Sequence, residues 1–581
     1  MTSQPRRRLL ARRDLLRLLA GAGGLSLAAA CAPIQSPAPA KPTAAPAAPA
    51  PAPAQATSPA KPAEGAAKPT EAAAKPAESK PAQAATAAPA PPQAAAPTAA
   101  SKAAMKTGGT LTIASQADII NFDAHALPAA NRPIFQQIFS PLIRYDTTLT
   151  PQPELAESWQ ISPDNLAITM KLRQGVKFHS GRDFGAEDVL WNLKRLQDPA
   201  VAANSRVLAL AIKEAQAVDA HTVRFGFERP TPGIFDLFDL FYVMDREVED
   251  VKTKGVGTGP FKVAAWNPGD QLRLVRHDAY FKSGQPRLDE VIIKAMPDPA
   301  SRILNLESGA VDVVMHPLNN DYARLQQDGK FQTPAGADGN VVLDFIMNVS
   351  EKPFDDKRVR QAFNLAVDRQ RVLQRVYSGV GEPACIPFPK TSFAYDESAA
   401  SSCRFDLDGA KALLTEAGYP DGFDVEAIVD SSQTAWRQFA EIYQADLAKI
   451  GVRMKLTVQE PPQYRQNTFG HKFQTAFHNF GRANKDPDGL FRIAVAWYPT
   501  KEGFSTFTSP EYERLVGEAG SSMDRARRKE LYGQVMKLIV DESFVLSIVS
   551  IPQIWAVAPH VRELAWNLDG HEILEAVWLD K

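Results

Sequence analysis

The sequence predicts an α/β protein with largely covered sheets, set behind a long stretch that cannot build a core. Two observations carry this. Short β-branched or alternating segments recur between stretches of 3.6-residue apolar periodicity. About 475 residues follow the low-complexity stretch, enough for two or three lobes with substantial cores.

The elements follow in order. Gly109-Thr110-Leu111-Thr112-Ile113-Ala114 alternates apolar and β-branched residues after a glycine turn and reads as the first strand. Further extended segments are expected at Ala167 to Leu172, Thr222 to Phe227, Gln271 to Arg276, Glu290 to Lys294, Val341 to Met347 and Arg453 to Gln459. Helices are expected at Ala186 to Arg195, Ala300 to Glu307, Arg358 to Tyr377, Leu407 to Ala417, Thr434 to Ile450 and Arg525 to Val540. Asp406 caps one of these at its start and Gly418 stops it at its end.

The first 106 residues carry export signals. Arg6 to Arg8 and then Ala11-Arg12-Arg13-Asp14-Leu15-Leu16-Arg17 resemble a twin-arginine signal, with a basic Sec signal as the alternative. The apolar run from Leu15 to Ala30 is too short and too rich in Gly and Ala for a span of about 20 apolar residues, and reads as a cleaved signal peptide, residues 1–31. It ends in Leu27-Ala28-Ala29-Ala30-Cys31, which resembles a lipobox with its Leu four residues before the Cys instead of three. Lipidation of Cys31 is preferred to an ordinary signal, and would tie a soluble domain to the membrane surface.

Residues 32–106 hold 17 of the 46 prolines amid Ala, Lys, Glu, Gln, Ser and Thr, a composition unable to bury a core. Such a tether extends at about 3.1 Å per residue and reaches roughly 200 Å.

Net charge is −1, from 65 basic and 66 acidic side chains of interspersed sign. A nucleic-acid partner, which needs a basic face, is therefore not expected. Cys385 and Cys403 lie 18 residues apart in an exported chain and are a candidate disulfide, with two free thiols as the alternative.

Several blocks, in order, resemble the family 5 extracellular solute-binding proteins, the oligopeptide, dipeptide and nickel-binding class of bacterial ABC importers. These are Pro153-Glu154-Leu155-Ala156-Glu157-Ser158-Trp159, Leu172-Arg173-Gln174-Gly175-Val176-Lys177-Phe178-His179-Ser180-Gly181 and Ala186-Glu187-Asp188-Val189. They continue with Gly257-Thr258-Gly259-Pro260-Phe261, Leu306-Glu307-Ser308-Gly309-Ala310-Val311-Asp312, Pro353-Phe354-Asp355-Asp356-Lys357-Arg358-Val359-Arg360, Ala417-Gly418-Tyr419-Pro420-Asp421-Gly422-Phe423 and Asp486-Pro487-Asp488. Most of these residues are expected to be structural. Trp159 and Phe178 read as core aromatics, Gly175 and Gly181 as turn residues, Glu187 and Asp188 as first-turn acids of a helix, and His179 as a packed or surface histidine.

The resemblance implies a two-lobed periplasmic-binding-protein-like fold with a hinge, one lobe carrying an extra subdomain. Mapped here, lobe I takes residues 107–144, 261–345 and 552–581, its subdomain 145–260, and lobe II 346–551. The crossings would fall near Phe345 to Asn348 and Ser550 to Gln553. It further implies an extracytoplasmic, membrane-anchored monomer that captures peptides or related small solutes in the interlobe cleft. Closure over the ligand would signal an ABC permease, with no cofactor and no catalytic residue.

In peptide-binding relatives two extended segments pair the ligand backbone. Here they correspond to Pro128-Ala129-Ala130, after Phe122-Asp123-Ala124-His125, and to Asn479-Phe480-Gly481. Where those relatives place an Asp for the ligand ammonium, this chain has Ala483, with Arg482 before it and Lys485 and Asp486 after it. Either Asp486 substitutes, or Arg482 and Lys485 favour an acidic or polar ligand such as an opine, a saccharide derivative or a blocked peptide, or both bases face solvent. Phe480 is expected to form a stacking wall.

A nickel or metal-chelate binder is a rival within the family. Nine histidines, His471 and His478 among them, show no chelating spacing, so no metal ligand is assigned. An exported hydrolase would need a nucleophile constellation, and the one Ser-x-x-Lys, Ser58 to Lys61, lies in the tether. An envelope sensor or chaperone built on the same fold would differ chiefly in its partner.

Overall fold

The computed structural model describes residues 105–126, 131–336, 341–481 and 485–581. The signal segment, Cys31 and the tether lie outside them. None of the helices in the described residues is long and apolar enough to cross a membrane.

Three sheets organise the chain. In the first, Trp555–Val557, Val313–Met315, Thr110–Ser115, Glu290–Ala295, Gln271–Arg276 and Phe261–Asn267 lie side by side in that order. Thr110–Ser115 runs parallel to both neighbours, and its alternation buries Leu111 and Ile113 in a core shared with Val291, Ile293 and Val313. The register is held at one end by Asp312, whose Oδ2 accepts from the Thr112 amide at 2.8 Å.

The second sheet is ordered Glu382–Pro383, Val545–Ile551, Val341–Met347, Thr475–Gly481, Asp424–Asp430 and Arg453–Gln459. Asp424–Asp430 and Arg453–Gln459 are parallel, which obliges a crossover, and helix Thr434–Lys449 supplies it. A second core forms here, with Phe345 edge-on to Phe477 and to Tyr443. The third sheet is antiparallel: Ala156–Ile161, Ala167–Leu172, Thr222–Phe227 and Ile212–Asp219. Helix Ala186–Gln197 contributes Val189, Leu193 and Leu196 to the core it shares with this sheet.

The first and third cores share a wall. In Phe241-Tyr242-Val243-Met244 the side chains alternate, Phe241 and Val243 entering the third core, Tyr242 and Met244 the first.

The chain passes between the first and second sheets twice. Gln332 and Ala335 still bridge to Val557 and Ile554 of the first lobe, whereas Val341 is already paired to Gly481 and Ile551. The first crossing therefore precedes Val341, and the expected position at Phe345 to Asn348 is corrected. All of Val341–Met347 belongs to the second lobe, because Leu343, Phe345 and Met347 fill its core. The other passage runs from Ile551 through Pro552 and Gln553 to Trp555.

The helix expected over Arg358 to Tyr377 is two helices, Lys357–Leu365 and Arg369–Tyr377. Asp368 caps the second by accepting from the Arg371 amide, and Arg369 turns inward to donate to the Ala384 and Ser547 carbonyls. Cys385 and Cys403 are joined in a disulfide, with Cα atoms 5.6 Å apart. It ties the loop after Glu382–Pro383, which pairs with Val549 and Ser550, to the segment leading into helix Leu407–Glu416.

Of the motif residues, Phe178 is fully buried, while Trp159 is only half-buried, its ring 5.7 Å from Phe235. Asp188 accepts from the Gly185 amide at the start of its helix and pairs with Arg182. His179 meets the Gly259 carbonyl at 3.0 Å and packs edge-on against His277.

The interlobe cleft

A cleft of about 580 Å³ opens between the first and second lobes. Its first-lobe wall lies where strands end: Gln116 follows Thr110–Ser115 and His316 follows Val313–Met315, both at carboxyl ends of parallel strands. Arg132 and Pro133, at the start of helix Arg132–Ile138, and Asp569 and His571, from the C-terminal return, also belong to that wall. The second lobe supplies Tyr377, Gln433, Trp436, Asn479 and Gly481, and Pro552 and Gln553 line the crossing.

His316 has φ of +50°, a left-handed conformation that a side chain rarely adopts, directly after the strand ends. Desolvation lowers its pKa to about 4, and that of His571 to about 3, so both imidazoles are neutral hydrogen-bonding groups at neutral pH. Among the described residues, the charged side chains that line the cleft are Arg132 and Asp569.

The second-lobe strand offers an edge. Thr475–Gly481 is paired along its whole length with Val341–Met347, but its ladder with Asp424–Asp430 stops at Ala476. At Asn479 and Gly481 the strand reaches the cleft with a sheet partner on one side.

Of the sequence-expected ligand residues, Asn479 and Gly481 line the cleft. Phe480 does not: the pleat turns it the other way, against the second core, so the expected stacking wall is corrected. Aromatic character comes instead from Trp436 and Tyr377, at the start of one helix and the end of another. Neither bears a motif that sequence reasoning could have used. Pro128, Ala129, Ala130, Arg482 and Ala483 lie outside the described residues.

Asp486 is corrected as a ligand contact. It caps helix Pro487–Ile493 by accepting from the Asp488 amide at 3.0 Å, and its carboxylate is gripped by both terminal nitrogens of the buried Arg528. Lys485 neither faces solvent nor lines the cleft. It is 2% exposed, with Nζ 2.8 Å from Asp239 and 3.4 Å from Asp569, and over the Tyr145 ring at 5.2 Å. Among the described residues, two further polar contacts join the second lobe to the subdomain: the Asp486 amide to Asp236 at 3.3 Å, and Arg525 to the Thr148 carbonyl at 3.2 Å.

Within the Asp-x-His turn, Asp123 pairs with Arg195, and His125 is buried against the Tyr242 carbonyl at 3.1 Å. His478 is enclosed by Trp436 and Phe504, and burial lowers its pKa to about 4. Among the described residues no group of three or more His, Cys, Asp or Glu is placed to hold a metal ion.

Comparison with known proteins matches the geometry. Residues 150–500 match the family model described as bacterial extracellular solute-binding proteins, family 5 Middle. The chain is 30% identical over 463 residues to the dipeptide-binding protein of Escherichia coli, covering 74% of this chain and 84% of that one. It is 28% identical over 480 residues to heme-binding protein A of Haemophilus influenzae, covering 77% and 87%. Among solved structures it resembles the ABC transporter-associated periplasmic binding protein DppA of Helicobacter pylori in complex with the peptide STSA. There the TM-score is 0.69 at 26% identity, over 82% of this chain and 99% of that one. With its two main sheets joined by two passages of chain around a common cleft, this chain belongs to the family 5 bacterial extracellular solute-binding proteins.

Proposed function

We propose that this protein captures short peptides, or small solutes that present a peptide-like edge, between its lobes and delivers them by hinge closure to the permease of an ABC importer. The observation that carries this reading is the end of Thr475–Gly481, which reaches the cleft after its ladder with Asp424–Asp430 has stopped. An extended ligand gains main-chain hydrogen bonds there independently of its side chains, and side-chain pockets then add selectivity. A dipeptide-binding relative and a peptide-bound neighbour support the same choice. Lipidation at Cys31 and the Ala/Pro-rich tether would keep the protein beside its permease.

Cleft charge favours ligands without a free ammonium. The lining carboxylate, Asp569, already faces Lys485, so a ligand ammonium would meet an occupied counter-charge. N-acetylated peptides and acidic solutes such as opines fit this wall better than free-amine peptides.

Thermal unfolding of the exported protein with free and N-acetylated di- and tripeptides tests the reading, since a ligand of the folded state raises the melting temperature by mass action. The expected result is a concentration-dependent rise with acetylated peptides that exceeds the rise with free-amine forms. A larger rise with free amines would overturn the charge argument, and no rise with either series would overturn the peptide reading.

A further inference from the structure

We propose that Lys485 is an interlobe latch: the protein's own ammonium fills a carboxylate site shared by the subdomain and the first lobe, holding the lobes together and closing that site to ligand amines. The inference rests on reading the cleft as the binding site.

Three elements meet at Lys485. The residue lies between strand Thr475–Gly481 and helix Pro487–Ile493 of the second lobe. Its first acceptor, Asp239, ends helix Ile234–Asp239 of the subdomain, and its second, Asp569, stands in the C-terminal return of the first lobe. Asp239 is itself fixed, since its other oxygen accepts from the Tyr145 amide at 3.2 Å. Tyr145 adds its ring face to the ammonium at 5.2 Å. The site thus has two carboxylates and an aromatic wall from one side of the cleft, and its cation from the other. The neighbouring contact of the Asp486 amide with Asp236 follows the same path across the lobes.

The physical consequence is a near-balanced hinge. Opening returns Lys485, Asp239 and Asp569 to water, which repays much of the Coulombic loss, so the pair by itself closes the lobes only weakly. Removing the ammonium is different, because closure would then bury the Asp239 carboxylate without the cation it faces. Ligand binding has to tip a small difference in the native protein and a large opposing one in the variant.

Chemical rescue tests this without any transported ligand, so failure of the peptide reading would leave the result intact. Amide hydrogen exchange is measured on the full chain, as wild type and Lys485→Ala, with ethylammonium chloride or with tetramethylammonium chloride at equal ionic strength. In Lys485→Ala, amides at 488–489 and 570–571 are expected to exchange about a hundredfold faster, while the core strand 343–347 keeps its protection. Ethylammonium, a primary amine of the right size, is expected to restore protection in this variant, whereas tetramethylammonium does not and the wild type responds to neither. Asp239→Asn provides a second variant. It should accelerate the same amides without rescue, because its ammonium is still present. Unchanged exchange in both variants, or acceleration in Lys485→Ala that ethylammonium fails to reverse while 343–347 stays protected, would overturn the latch.

Discussion

Asp486 and Arg528 form a buried two-pronged ion pair inside the second lobe, 8% and 5% exposed, with Arg528 Nη1 2.8 Å from Asp486 Oδ2. The same Arg528 donates to the Ala519 carbonyl, so one guanidinium joins the start of helix Pro487–Ile493, the end of Pro510–Ala519 and its own helix Arg525–Glu542. Arg528→Ala leaves the carboxylate buried without its cation and is expected to lower stability by about 3–5 kcal/mol in urea unfolding. Arg525→Ala, at an exposed neighbour in the first turn of the same helix, should change it by less than about 1 kcal/mol.

Glu572 makes stability depend on pH in an unusual direction. Burial pushes its pKa up to about 7, opposed by its own backbone amide and by Trp555, whose indole donates to it. Below an unfolded-state value near 4.5 both states hold the proton and the group contributes nothing. Between there and about 7 only the folded state holds it, so each pH unit removes about 1.4 kcal/mol of stability, levelling near a total of about 3 kcal/mol. Glu572→Gln should therefore gain stability relative to wild type as pH rises from 5 to 7.5. Denaturant midpoints of both proteins across that range check it, and parallel curves would show that Glu572 ionises freely in the fold.

The disulfide closes a loop of 18 residues beside the strand Val545–Ile551 that leads into the second crossing. Chain-entropy arguments put the loss on opening such a loop at about 3 kcal/mol. The double variant Cys385→Ser/Cys403→Ser is expected to melt several degrees lower, and a reducing agent should lower the wild type and not the variant.

Gly175 and Gly257 answer to different constraints. Gly175 has φ of +72° with open space around it, so Gly175→Ala should cost only backbone strain, about 1–2 kcal/mol. At Gly257 a Cβ would stand 2.3 Å from the Ile138 carbonyl oxygen, which forces two backbone segments apart. Gly257→Ala is expected to cost about 3 kcal/mol or more in equilibrium unfolding.

Trp436 shares the aromatic lining of the cleft with Tyr377 and is also packed against Tyr464 and His478. Trp436→Ala should weaken binding of an N-acetylated peptide at least about tenfold by calorimetry. Phe480→Ala, on the far face of the strand, should leave affinity within about threefold and lower stability instead. Equal losses of affinity in the two variants would return Phe480 to the cleft.

Local pattern by itself determined most of the regular structure and the family. Strand Thr110–Ser115 is legible because alternate residues face one core, and helix Thr434–Lys449 because one face in 3.6 is apolar. The same periodicity ran through Ala366 and Asp368 and hid a break, since an inward Arg369 bonded to two carbonyls looks apolar-phased until its partners are known. Short strands such as Val313–Met315, paired to segments hundreds of residues away, carry no such signal. Tertiary structure alone decided the cleft. It sent Asn479 toward the cleft and Phe480 away from it, paired Asp486 with Arg528, and seated Lys485 between Asp239 and Asp569. These partners lie 42 to 246 positions apart in the chain, and no local rule encodes which buried carboxylate a cation will find. The choice is made by packing, which removes water from both charges at once and leaves each only the other to satisfy it.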